Sequence, residues 1–195
     1  MRFALGALVA LALAAVLGLG ATWWTVANGL PVSGLTIGVW RAEPDAGTLG
    51  ADPYEVAATA RSGEAPLAYG DGLAFTALTD GGGRTLDASC DYELVGDLPP
   101  ARLWTLAAFN SKGERFAKDA KDAKDLSLTS AGAVRMDDGP IRIALSSQAR
   151  PGNWAPLEGE GRFVLRLSLY ETTLGTPLER ANPTGLLDVR RGACR

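Results

Sequence analysis

The sequence predicts a mainly β protein: an antiparallel, jelly-roll-like β-sandwich with one short N-terminal helix on the sheet, preceded by a single transmembrane helix. Three observations lead there. Residues 3–40 hold no charged side chain, and an uninterrupted apolar run opens the chain. Beyond residue 67, apolar residues recur at every second position in short runs. Those runs are separated by Gly, Pro and Asp, with almost no crossover helix between them. Runs of this kind read as strands, and closely spaced strands favour a sandwich or jelly roll.

The apolar run comes first. As a helix rising about 1.5 Å per residue, residues 3–24 would be roughly 33 Å long, close to a bilayer hydrocarbon core about 30 Å thick. Trp23 and Trp24 then fall at the far interface, where indoles are favoured. Arg2 stays on the near side, which puts the N-terminus in the cytoplasm and the rest of the chain in the bacterial periplasm. Residues 1–27 are therefore expected to be a signal anchor in the inner membrane. A cleaved signal peptide is the alternative. Gly18, Gly20 and Ala21 would permit cleavage, although the run exceeds the usual core of about 7–15 residues and no A-x-A pattern closes it. Both alternatives export the domain.

Export gives meaning to the two cysteines, Cys90 and Cys194. In an oxidising compartment they invite a disulfide tying the end of the chain to a strand in its middle. Two buried thiols that never meet are the other possibility.

Composition narrows the chemistry. The 195 residues contain no histidine, which removes Ser-His-Asp and Cys-His nucleophile systems and every imidazole-dependent metal site. Two cysteines are too few for a Cys-only zinc site, so neither metal nor cofactor is expected. The net charge of −3, with no basic cluster, gives no electrostatic footprint for nucleic acid.

Residues 28–50 are rich in Gly and Pro and read as a linker, with an apolar stretch at residues 35–40 able to pair as a strand. The domain proper is placed at residues 51–195. It opens with Asp52-Pro53-Tyr54-Glu55: an N-cap, a proline at N1 and a glutamate at N3, the signature of a helix start. The helix stops near Gly63, and its alanines suit packing on a sheet. Strands follow around Phe75, around Tyr92, across residues 103–109 and across residues 163–170. Residues 134–136 and 141–145 flank Asp137-Asp138-Gly139-Pro140, a hairpin signal. A Lys-Asp-Ala repeat at residues 118–125 reads as a solvated loop or helical turn.

Several segments together carry a resemblance. Gly38-Val39-Trp40, Asp52-Pro53-Tyr54, Cys90-Asp91-Tyr92, Pro99-Pro100-Ala101-Arg102-Leu103-Trp104-Thr105-Leu106 and Arg150-Pro151-Gly152-Asn153-Trp154-Ala155-Pro156 occur in this order. The chain resembles the family called domain of unknown function 1214, in its short membrane-anchored branch. The resemblance implies a jelly-roll-like sandwich and a companion protein of the related family 1254. It implies no activity. Leu103 departs from the pattern, since relatives often carry a second aromatic there.

The candidate ligand-binding residues are Arg102, Trp104, Arg150, Asn153 and Trp154. Arg102 and Trp104 lie two apart and so share a strand face. A guanidinium beside an indole can hold a carboxylate or a sugar ring, or simply pack as a cation–π pair. Asn153 can shape its turn without binding anything, and Trp154 can cover the core. Asp91 and Glu93 would work as an acid–base pair only under a cleft, and Asp137 and Asp138 belong to a turn. Asp80-Gly81-Gly82-Gly83 lacks the Lys-Ser/Thr and following helix of a phosphate loop. No catalytic residue is assigned. The expectation is a non-catalytic, membrane-anchored binding module; the alternative is an enzyme or carrier for a small molecule or glycan.

Overall fold

The computed structural model describes residues 2–28, 34–63, 65–67, 70–110, 113–116, 127–135, 139–157, 159–174 and 185–195. The apolar run forms one helix, α1 (Arg2–Asn28). It is long and apolar enough to cross a membrane, and none of its apolar span is buried within the protein. Leu11, Leu17 and Leu19 all stand exposed along it.

Among the described residues the alternating segments form ten strands: β1 (Leu35–Ile37), β2 (Trp40–Ala42), β3 (Gly72–Ala77), β4 (Cys90–Gly96), β5 (Leu103–Phe109), β6 (Ser127–Thr129), β7 (Ile141–Ser146), β8 (Asn153–Pro156), β9 (Val164–Tyr170) and β10 (Asp188–Cys194). One sheet runs β1-β2-β3-β9-β5-β6 and the other β10-β4-β7-β8. Between them lies a single core. Phe75, Leu106, Leu165, Leu167 and Leu169 come from the first sheet, and Tyr92, Leu94, Ile143, Leu145 and Val189 from the second. Phe163 sits edge-on to Tyr92, with ring centroids 5.6 Å apart. The period-2 alternation causes this arrangement, because each strand buries every second side chain. Gly72 meets a tighter constraint: a Cβ there would come within 2.2 Å of the Leu169 carbonyl oxygen on β9, so the β3–β9 approach admits no side chain.

Four expectations change. The sheet reaches back into the segment read as linker, since β2 pairs with β3. Trp40 is fully buried, and its Nε1–H donates to the Leu187 carbonyl at 2.6 Å. Burying a large indole outweighs the Gly/Pro composition around it.

The short helix α2 (Pro53–Ser62) has its expected start. Asp52 accepts from the Tyr54 N–H at 2.8 Å, and Gly63 closes the helix in the left-handed conformation. It does not lie on the sheet. Its neighbour is α1, and the Arg61 guanidinium stands 6.0 Å from the Trp23 ring centroid. With Tyr54 and Val56 both exposed, α2 has no apolar stripe wide enough to compete for the sheet face.

The sheets are also not wholly antiparallel, because β7 and β8 run parallel. That pairing overturns the expected hairpin. β4 runs along one edge of β7 and β8 along the other from Ile143 onward, and Val134 and Arg135 lie in no strand; Met136 lies outside the described residues. Asp137 and Asp138 and the Lys-Asp-Ala repeat lie outside the described residues.

Glu43 follows β2 and pairs with Arg41 at 3.2 Å. Burial first, then a hydrogen bond and charge repulsion from Glu55 of α2, push its carboxyl up from 4.5 to about 7, against the opposing influence of Arg41. A carboxyl raised in the folded state stabilises the fold while protonated. Its contribution is therefore complete below about 4.5 and is lost as pH rises through about 7. Glu43→Gln is expected to be more stable than the wild type near pH 8, the gap shrinking as pH falls towards 4. Urea midpoints for the two proteins that stay equally far apart at both pH values would show that Glu43 is not the cause.

Candidate functional site

The connection from β4 to β5 crosses from one sheet to the other at one end of the sandwich. Pro99 and Pro100 stiffen it, since each fixes its own φ and offers no N–H to a ladder. The chain after β6 passes the same end before entering β7. Between these two connections lies a pocket of about 450 Å³. Leu98, Pro99, Ala133, Val134 and Ile141 supply apolar wall, Trp104 closes one side, and Ser130 and Arg135 add polar groups.

Backbone and side-chain hydrogen bonds hold these walls in place. The Ser130 N–H donates to the Trp104 carbonyl at 2.9 Å, and the Trp104 N–H donates to Ser130 Oγ at 3.3 Å. Opposite, Asn153 grips Val134. Its Oδ1 accepts from the Val134 N–H at 2.6 Å, and its Nδ2 donates to the carbonyls of Val134 (2.8 Å) and Arg142 (3.0 Å). A side-chain amide thus takes the place of the strand pairing that Val134 was expected to find in a hairpin. Asn153 reaches this position because Gly152, at φ +83°, turns the chain out of the β7–β8 loop into the parallel strand. Only glycine adopts that backbone at little cost.

The five candidate residues divide. Trp104 lines the pocket and Asn153 braces its wall. The other three lie elsewhere. Arg102 is mostly exposed and pairs with Glu171 at 2.6 Å rather than stacking on Trp104. Arg150 pairs with Asp91 at 3.0 Å on the outer face of the second sheet. Trp154 donates its Nε1–H to the Ser146 carbonyl at 2.9 Å. Strand parity alone placed Arg102 beside Trp104, but Arg102 precedes β5 and follows the turn towards Glu171.

The acidic pair on β4 is matched by arginines. Asp91 faces Arg150 and Arg195, and Glu93 faces Arg142 at 3.2 Å. No group of acids, histidines and cysteines able to hold a metal occurs among the described residues.

Cys90 and Cys194 are joined in a disulfide, directly opposite each other where β10 pairs with β4. Beside it lies a network that the sequence did not reveal. Asp80 is buried and accepts from the N–H groups of Gly82 and Arg84, both at 2.9 Å. It also pairs with Arg84 Nε at 3.1 Å and with Arg191 Nε of β10 at 2.7 Å. Burial is the strongest single influence on its carboxyl and opposes ionisation. The Arg84 N–H, the charges of Arg84 and Arg191 and the Gly82 N–H together outweigh it, so the carboxyl lies below its ordinary range. Arg191 also donates to the Thr85 carbonyl and stands 5.4 Å from the Tyr92 ring centroid. The trace of this in the sequence is the Asp-Gly-Gly-Gly turn; of its two cationic partners Arg84 follows directly, but Arg191 lies more than a hundred residues away.

A family model described as "Protein of unknown function (DUF1214)" matches residues 71–174, a span that includes the pocket and Asp80. Among solved structures, the VPA0106 protein from Vibrio parahaemolyticus is similar, with TM-score 0.58 and 17% identity, over 90% of this chain and 43% of that one. At that identity the likeness is one of fold, and this chain spans less than half of the Vibrio protein's length. A putative uncharacterised protein from Burkholderia cenocepacia matches at TM-score 0.42 and 19% identity, over 64% of this chain and 30% of that one. No curated protein matches.

Proposed function

The chain belongs to the DUF1214 family of proteins of unknown function, and from that premise we propose that it is a membrane-tethered, non-catalytic binding module of the bacterial envelope. In this reading α1 is a signal anchor in the inner membrane and the sandwich stands in the periplasm. The observation that carries it is α1 itself: a helix of 27 residues whose one charged residue is Arg2, ending near a tryptophan pair and turning its apolar side chains away from the protein. An exported domain with a disulfide agrees with an oxidising compartment.

Binding rather than turnover is supported by how the polar groups are used. Arg102, Arg150, Asp91 and Glu93 are taken up in ion pairs at the surface. The pocket carries apolar wall and donors. A companion protein of the family 1254 is the partner this reading names.

Fractionation of cells producing the full chain is the test. The intact chain is expected in the inner membrane, with the sandwich degraded by protease added to spheroplasts. A sandwich protected together with cytosolic markers would overturn the topology. A soluble product beginning near residue 21 would replace the anchor with a cleaved signal.

A further inference from the structure

The polarity of α2 runs opposite to that of a helix lying between a sandwich and water. Its acid is Glu55 and its base Arg61. Glu55, Ala58 and Thr59, spaced three and four apart, form the half-buried face, and Glu55 is hydrogen-bonded to Glu43 after β2. Pro53, Tyr54, Val56, Ala57, Ala60 and Arg61 form the exposed face. A helix that faces water turns its charged residues outward. Here the acid is turned in, and the outward face is apolar apart from one cation. Leu49, in the turn leading to the helix, is fully exposed as well.

The position of this face says what covers it. α2 packs beside α1, and Arg61 stands 6.0 Å from the Trp23 ring centroid. Tyr54, two helical turns before Arg61, lies on the same flank of α2. Trp23 and Trp24 are both exposed and lie in the last turns of α1, where a membrane helix emerges into the headgroup layer and indoles are favoured. α2 therefore sits at the depth of that layer.

We propose that α2 is an interfacial helix lying on the periplasmic leaflet, with Leu49, Val56, Ala57 and Ala60 turned to lipid and Tyr54 and Arg61 among the headgroups. Aromatic and cationic side chains are the ones such a layer accommodates. A free helix of 10 residues with so slight an apolar face would hold a bilayer weakly. Tethered to α1 it meets the lipid at high effective concentration, and little affinity is needed. The assignment rests on the reading of α1 as a membrane anchor and adds a second contact, one that fixes how the sandwich stands on the membrane.

The test uses the full chain in phosphatidylethanolamine–phosphatidylglycerol vesicles containing nitroxide lipids. A maleimide fluorophore is placed on Val56→Cys; the native cysteines are joined to each other and do not react. A chain labelled instead at Arg142→Cys, an exposed site on the outer face of the second sheet, is the reference. The label at position 56 is expected to be quenched by nitroxide lipid and shielded from aqueous iodide, the label at 142 the reverse. Ala57→Glu with Ala60→Glu adds two carboxylates to the outward face, at positions where glutamate still favours the helix. This change should abolish lipid quenching at position 56 and open it to iodide, with the urea midpoint unchanged. A label at 56 open to iodide before that change would overturn the assignment. So would one shielded from iodide yet untouched by nitroxide lipid, the mark of a protein covering the face. Lipid quenching that survives both glutamates would refute it too. Flotation separates the contact from the anchor. A chain that floats with the vesicles but fails these tests loses the α2 contact alone, whereas a chain left in solution loses the anchor and the contact with it.

Discussion

Asp80→Ala is expected to destabilise the sandwich by about 3–5 kcal/mol, the usual cost of removing one partner from a buried ion pair. The carboxylate is fully buried, and Arg191, its closest partner at 2.7 Å, is itself mostly buried. Without Asp80 that guanidinium would keep its charge and lose its counter-ion. The N–H groups of Gly82 and Arg84 would lose their acceptor as well. Asp80→Asn should cost less, because an amide oxygen can still accept from both.

The pH dependence has a definite sign. A carboxyl held below its ordinary range stabilises the fold above that range, and the contribution is lost as pH falls through the depressed value. Urea denaturation of wild type and Asp80→Ala should therefore converge in acid. A difference below about 1 kcal/mol near neutrality, within the range of ordinary surface changes, would refute the network's role.

Loss of the Cys90–Cys194 disulfide should have an effect of similar size. The bridge joins residues 104 apart in sequence, and closing so long a loop is worth about 4–5 kcal/mol as an upper figure in the chain-entropy model. For a domain of this size that corresponds to a fall in Tm of roughly 10 °C. β10 is the strand most affected, since it lies at the edge of its sheet and only β4 pairs with it. It also carries Val189 into the core and Arg191 to Asp80. The Cys90→Ala, Cys194→Ala double variant should consequently show β10 amides exchanging early. After reduction, Cys194 should label with a thiol reagent well before the buried Cys90. Equal melting of oxidised and reduced chains would exclude the bridge as a stabilising element. Because Arg191 and Cys194 share β10, losing both the bridge and Asp80 should cost less than the sum.

Both effects depend on contacts between segments far apart in the chain, and that marks where legibility ended. The disulfide could be proposed from two cysteines in a chain whose apolar N-terminal run reads as an export signal or anchor. The Asp80–Arg191 pair could not, because the Asp-Gly-Gly-Gly turn that holds Asp80 gives no sign of a partner on a strand 111 residues later. Trp104 and Asn153 were candidates from the outset, yet the reason for grouping them with Arg102, Arg150 and Trp154 was a shared set of motifs. The structure keeps the first two at one pocket and sends the others into separate pairings. Arg135 drew no notice because it stood beside a turn read as a hairpin, where the structure places it in no strand.

By itself the sequence determined what repeats at short range: a helix of membrane length with no charge after Arg2, the capped start of α2, and strands whose every second residue is apolar. These follow from the geometry of one segment and its own side chains. The tertiary structure alone decided that Trp40 belongs to the core, that β7 and β8 run parallel, that α2 lies by α1, and that a pocket opens between Trp104 and Val134. Each of those outcomes is a competition among distant segments for the same strand edge or the same apolar face. Local periodicity is identical for the winner and the loser.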